Sequence, residues 1–114
     1  MRAALRADLT AAMKAKDRIA VSALRSALAA IDDAETVPAA PQPGVEASEH
    51  VAGAAAGIGA ADVARKQLTE EEMRAVVARE HRERVAAAMT YAELGRNQDA
   101  GRARAEADVL ARYL

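Results

Sequence analysis

One uninterrupted stretch, Thr69 to Gly95, sets the architecture of this chain: TEEEMRAVVAREHRERVAAAMTYAELG. Thr69 followed by three glutamates has the form of a capping box, in which the hydroxyl and the Glu72 carboxylate accept hydrogen bonds from each other's backbone N–H groups. Three carboxylates in the first turn also suit the positive end of a helix dipole. Gly95 readily adopts the left-handed conformation at which helices stop. The stretch therefore predicts a helix over residues 70–94, about 37 Å long at the usual rise per residue.

Apolar side chains recur every three or four residues along this helix and predict one buried face. Two charged residues, Glu80 and Arg84, interrupt that face. One interpretation makes Glu80 an acid or base in a half-buried site. We favour a second interpretation, a structural ion pair between Glu80 and Arg25 of another helix, which offsets part of the desolvation of both charges. The full stripe comprises Met73, Val76, Val77, Glu80, Arg84, Ala88 and Tyr91.

The composition predicts one domain spanning residues 1–114 with a core of small side chains. The hydrophobic fraction is 52%, but there is no Phe or Trp and much of the rest is alanine, which forms helices readily and contributes little burial energy. The net charge of -1 excludes a generally basic surface. The absence of cysteine excludes disulfides and thiolate metal sites, and it favours an intracellular, cytoplasmic location. The N-terminus does not have the pattern of a signal peptide.

The periodicity predicts an all-α fold of four helices arranged as two antiparallel hairpins. The helices are expected over residues 2–15, 18–36, 70–94 and 98–114, with Asp17 as the cap of the second helix. The short links within each pair predict antiparallel packing. Residues 37–68 join the two hairpins and are rich in Pro, Gly and Ala, which predicts a long loop. Its possible forms are a disordered excursion, a strap across the bundle, or a short helix near Ser48 to Ala56. We favour a mostly mobile loop whose last part, near Val63 to Leu68, docks before the long helix.

Two clusters of basic residues are candidates for phosphate or nucleic-acid binding. One lies at the predicted turn between the first two helices, and the other lies on the long helix. Acidic residues are interleaved with both, so a solvated, self-compensating surface is the alternative interpretation. The candidate nucleic-acid-binding residues are Lys14, Lys16, Arg18, Arg79 and Arg82.

Other kinds of site have weaker support in the sequence. His50 and His81 lack the neighbouring ligands that a metal-binding motif requires, so we expect no metal and no cofactor. A serine or threonine beside a histidine, as in a catalytic motif, is also missing. We expect no catalytic residues, and no segment of the chain is expected to span a membrane.

Several segments, taken in order, resemble the GatB/YqeY family of bacterial proteins. These segments are Ala12–Asp17 (AMKAKD), Leu24–Ile31 (LRSALAAI), Leu68–Glu72 (LTEEE), Arg79–Glu80, Tyr91–Arg96 (YAELGR) and Glu106–Leu114 (EADVLARYL). The resemblance covers both predicted hairpins. It implies an all-helical cytoplasmic protein related to the tail of the amidotransferase subunit that converts mischarged Glu-tRNA or Asp-tRNA. The family pattern also includes a further small helical domain after the position of Leu114, and its connection between hairpins is shorter than residues 37–68.

The family label is carbon–nitrogen ligase activity with glutamine as amido-N-donor, but the resemblance transfers no catalytic residue to this chain. It implies a non-catalytic accessory protein that contacts tRNA or a translation-related protein. The alternative is a helical module for protein–protein contact or self-association, since the alanine-rich faces could pack against a partner or a second copy. A free-standing enzyme is a third and weaker hypothesis.

Overall fold

Four α-helices make up most of residues 1–37 and 64–114, which are the residues that the computed structural model describes. They are α1 (Arg2–Ala15), α2 (Arg18–Glu35), α3 (Glu70–Glu93) and α4 (Asn97–Ala111). The predicted all-α class is confirmed. By contacts, the chain divides into two compact units, one formed by Met1–Asp33 with Leu68–Leu114 and the other by Ala34–Gln67.

A tight turn at Lys16 and Asp17 joins α1 to α2. Lys16 adopts the left-handed conformation, with φ 58° and ψ 34°. The N–H groups of Lys16 and Asp17 donate to the carbonyls of Met13 at 3.2 Å and Ala12 at 2.9 Å, which is the Schellman arrangement of a helix end. The carboxylate of Asp17 accepts a hydrogen bond from the N–H of Ala20 at 3.1 Å. Asp17 therefore caps α2, as predicted.

Local hydrogen bonds also define both ends of α3. The Thr69 hydroxyl accepts from the N–H of Glu72 at 3.0 Å, and the Glu72 carboxylate accepts from the N–H of Thr69 at 2.9 Å. The predicted capping box is confirmed. Gly95 has φ 75°, and its N–H donates to the carbonyl of Ala92 at 3.0 Å. The left-handed stop predicted at this glycine is therefore also present.

One ion pair across each hairpin shows that its two helices run antiparallel. Arg2 near the start of α1 lies 2.7 Å from Asp32 near the end of α2. Arg84 of α3 lies 2.9 Å from Glu106 of α4. Arg84 and Glu106 are equally distant in sequence from Gly95, as partners on opposite sides of an antiparallel hairpin should be.

Small and medium-sized apolar side chains form the core of the first unit, which both hairpins share. The five largest fully buried side chains are Leu5, Leu24, Ile31, Val77 and Leu110. Alanines fill much of the remaining interior, at positions 12, 20, 23 and 27. Further alanines, at positions 88, 100, 103 and 107, are buried along α3 and α4. Alanine at these positions lets helices approach closely, which fits the alanine-rich core expected from composition.

The prediction of a loop over residues 37–68 is wrong at both of its ends, where the second unit contains a short pair of strands. Thr36 and Val37 pair antiparallel with Ala64 and Arg65, in a register that sets Thr36 opposite Arg65. The N–H of Lys66 also donates to the carbonyl of Glu35 at 2.7 Å. Helix α2 ends at Glu35 and not at residue 36 because the chain enters this strand pair. The three alternatives for the rest of the loop, including the short helix near Ser48 to Ala56, fall outside the described residues.

The last helix also differs from its prediction. It was expected over residues 98–114, but α4 begins at Asn97 and ends at Ala111. The N–H groups of Arg112 and Tyr113 donate to carbonyls three residues earlier, so the chain tightens into a turn after Ala111. Helix α3 likewise ends one residue earlier than predicted, at Glu93.

Candidate functional site

A wide, open groove lies beside the turn between α1 and α2, and we call it the α1–α2 groove. It encloses about 770 Å³. Met13 and Val21 contribute apolar side chains to its lining. The complete lining is Met13, Lys16, Arg18, Val21, Ser22, Arg25 and Ser26.

The position of this groove follows from the local sequence. Arg18, Ser22 and Arg25 recur at intervals of four and three residues, which places them on one face of α2. The left-handed turn at Lys16 brings that lysine to the N-terminal end of the same face. The lining therefore combines cations and hydroxyls with two apolar side chains.

Three cations of the α1–α2 groove are available to bind an external anion. Lys16, Arg18 and Arg25 are exposed, and none of them forms an ion pair with another described residue. The nearest carboxylate in sequence, Asp17, is engaged in capping α2. Ser22 and Ser26 carry hydroxyl groups that can donate hydrogen bonds to a phosphate oxygen. The groove thus combines positive charge with neutral donors, which is the pattern of a phosphate-binding surface.

A neighbouring cavity of about 460 Å³ extends this surface to the other hairpin. It is lined by Arg18, Ile19 and Ser22 from α2 and by Arg102 and Glu106 from α4. Arg102 is exposed and forms no ion pair with a described residue. The carboxylate of Glu106, in contrast, is occupied by Arg84. Arg102 therefore adds a fourth cation next to the groove.

Glu80 belongs to a different cluster, and its predicted partner is wrong. Its carboxylate lies 3.0 Å from the guanidinium of Arg84, one helical turn along α3, and not against Arg25. Arg84 also contacts Glu106, so one guanidinium joins two carboxylates. The three side chains are only 14–15% exposed. Arg25 is instead exposed in the α1–α2 groove, because it borders the buried face of α2 without entering it.

The five predicted nucleic-acid-binding residues do not form one cluster. Lys16 and Arg18 line the α1–α2 groove, whereas Lys14 is exposed but is not part of its lining. Arg79 and Arg82 are also exposed. They lie outside the buried stripe of α3, because Arg79 and Arg82 are roughly 160° and 140° around the helix from the buried Val77.

Arg25 and Arg102 were not among the predicted binding residues. The signal for Arg25 was present in the sequence, since Arg18, Ser22 and Arg25 share one helical face. The sequence contains no such signal for Arg102, because its proximity to Arg18 depends on how the two hairpins pack.

The described parts of the chain have neither a metal-binding cluster nor a membrane-spanning helix. No group of three or more His, Cys, Asp or Glu side chains within them could hold a metal ion. None of the four helices combines the length and the apolar character needed to cross a membrane.

No protein-family model matches this sequence, and no curated protein matches it either. The resemblance to the GatB/YqeY family therefore stays a prediction.

Proposed function

We propose that this protein is a non-catalytic, cytoplasmic RNA-binding accessory of the bacterial GatB/YqeY type, and that it contacts tRNA through the α1–α2 groove. The family resemblance suggests tRNA or the tRNA-amidation machinery as the partner. One observation carries the choice of surface: Lys16, Arg18 and Arg25 surround one groove without a carboxylate partner among the described residues. We assign a binding function, since neither serine of the groove forms a hydrogen bond with a base among the described residues.

The charge pattern favours a nucleic-acid strand over a small anion. Arg18 and Arg25 are seven residues apart, which is roughly 10 Å along a helix, so they can contact two separate phosphates of one strand more easily than they can share a single anion. Binding to phosphates releases counterions and makes affinity depend steeply on salt. The net charge of -1 does not oppose this, because the field near the groove depends on the local cations.

Fluorescence anisotropy with labelled tRNA tests this function. We expect binding at about 50 mM salt that weakens steeply by about 200 mM. Arg18→Ala combined with Arg25→Ala should lower the salt slope by about two, or about one for each lost phosphate contact.

Arg79→Ala combined with Arg82→Ala is the matched control, since it removes the same charge from exposed positions outside the groove. It should leave the slope nearly unchanged. An equal loss in both double variants would reject the groove as the binding surface. Failure of the unmodified protein to bind tRNA even at about 50 mM salt would reject the function itself.

The second candidate function is a helical module for protein contact or self-association. It is favoured by large apolar side chains that remain exposed on α3 and just after it: Val85 at 41%, Met89 at 61% and Leu94 at 66%. Val85 and Met89 are one turn apart and share a face. Sedimentation analysis over a range of protein concentrations would reveal self-association, and Met89→Lys should abolish it. Contact of this kind should resist salt, unlike binding to tRNA.

A further inference from the structure

A third cavity follows the α1–α2 groove and the cavity next to it. It encloses about 260 Å³ between α3 and α4, and it shares Arg102 and Glu106 with the cavity described above. That middle cavity in turn shares Arg18 and Ser22 with the groove. The three spaces therefore adjoin one another, from the turn of the first hairpin toward the turn of the second.

The far end of this line differs from the groove in charge and in chemistry. Its carboxylates are already engaged: Glu106 with Arg84 at 2.9 Å, and Asp99 with Arg96 at 2.7 Å. Its local charge is therefore close to balanced. The half-buried ring of Tyr91 lines the cavity, and the guanidinium of Arg96 lies 5.2 Å from the centre of that ring. An aromatic ring in a nearly neutral cavity suits a planar base better than a phosphate, and a base can stack only on the ring face that the Arg96 guanidinium leaves open.

We infer that the RNA segment bound by this protein is an unpaired strand that spans both hairpins. Its phosphates follow Lys16, Arg18, Arg25 and Arg102, and one of its bases stacks at Tyr91. Stacking on an aromatic side chain requires a base that is free of its own duplex, and it tolerates any sequence because every base has a flat face. The inference rests on the proposed RNA-binding function and adds the strandedness of the ligand and its path across the three cavities.

Single-stranded RNA of about 12 nucleotides carrying 2-aminopurine tests this inference. Stacking at Tyr91 should quench the 2-aminopurine fluorescence when the base occupies the far cavity. Tyr91→Leu should abolish the quenching and weaken binding about fivefold or more, whereas Tyr91→Phe should retain both. The same sequence annealed to its complement should bind with an affinity that Tyr91→Leu does not change.

Arg102 is tested separately from the aromatic residue. Arg102→Gln should lower the salt slope for the single strand by about one. Arg104→Gln is the control on the same helix, since Arg104 is exposed and lines none of the three cavities. Thermal melting of each variant, compared with the unmodified protein, separates a lost contact from a lost fold.

The outcomes distinguish this inference from the function on which it rests. The inference is wrong and the proposed function stands if binding of single-stranded RNA requires Arg18 and Arg25 but is unchanged by Arg102→Gln, by Tyr91→Leu and by annealing the RNA to its complement. If the unmodified protein binds no RNA at about 50 mM salt, both are wrong.

Discussion

Arg84 of α3 and Glu106 of α4 form an ion pair, with 2.9 Å between Nε and Oε1, that connects the two helices of the second hairpin. The same guanidinium reaches the Glu80 carboxylate through Nη1 at 3.0 Å. All three side chains are about 85% shielded from solvent. Shielding of this degree makes loss of the pairing costly, because a carboxylate that loses its partner here also lacks full hydration.

We predict that Arg84→Met destabilises the protein by about 2 kcal/mol, because it leaves two partly desolvated carboxylates without their shared cation. The matched control is Arg25→Met, which removes the same charged group from an exposed position. That variant should change the free energy of unfolding by less than about 0.5 kcal/mol. Urea denaturation of both variants provides the measurement. A larger effect at Arg25 than at Arg84 would restore the original pairing of Arg25 with Glu80.

The error over Glu80 shows which parts of the fold can be predicted from sequence. The capping box at Thr69 and the stop at Gly95 depend on neighbouring residues, so the sequence contains all the information they need. A partner for Glu80 on another helix depends on how that helix is rotated, which periodicity does not provide. The alternative within α3 was visible, since Glu80 and Arg84 are four residues apart and such pairs face each other on a helix.

Substitution of the two described glycines of the second hairpin, Gly95 and Gly101, by alanine should have opposite effects on the stability of the protein. Gly95 has φ 75°, a conformation that L-residues with side chains adopt at a cost, so Gly95→Ala should destabilise by about 1 kcal/mol. Gly101 lies inside α4, so Gly101→Ala should stabilise by about 0.5–1 kcal/mol. An added Cβ would meet nothing within 4 Å at either position, so the contrast is purely conformational. Thermal melting would contradict this account if both variants shifted in the same direction.

Lys16 holds the corresponding position in the first hairpin, but without the freedom of a glycine. Its φ of 58° predicts that Lys16→Gly stabilises the protein by about 1 kcal/mol. Lys14→Gly is the control, because it removes the same charge from a helical residue of α1 and should destabilise by about 0.5 kcal/mol. Equilibrium unfolding in urea would separate the two effects. Stabilisation by both substitutions would point to relief of charge repulsion at the turn instead of backbone strain.

The candidate binding surface was predictable only in part, for the same reason as the ion pairs. Lys16 and Arg18 were recognised because they are close in sequence, and Arg25 could have been recognised from the face it shares with Arg18. Arg102 joins the surface only through the packing of one hairpin against the other, and Tyr91 joins it through the packing of α3 against α4 beside Arg102. Arg79 and Arg82 were grouped with these residues by charge alone, and the helix directs them elsewhere.

Tyr113 makes the stability of the protein sensitive to alkaline pH. Its hydroxyl donates a hydrogen bond to Asp8 of α1, and burial, this hydrogen bond and the Asp8 charge together raise the pKa of Tyr113 to about 12, against a smaller opposing effect of Arg112. A pKa that is higher in the folded state than in the unfolded state stabilises the fold below the unfolded value of 10, and this contribution is lost as the pH rises through about 12.

We therefore predict that Tyr113→Phe is less stable than the unmodified protein by about 1 kcal/mol near neutral pH, since it lacks the hydrogen bond. The difference between the two proteins should stay constant up to about pH 10, then shrink and change sign toward pH 12, because only the unmodified protein loses a proton at this position and a pKa difference of this size outweighs about 1 kcal/mol. Urea denaturation of both proteins at several pH values measures it, and comparison with the variant cancels the titration of other groups. A difference that stays the same up to pH 12 would show that the hydroxyl of Tyr113 does not couple its ionisation to folding.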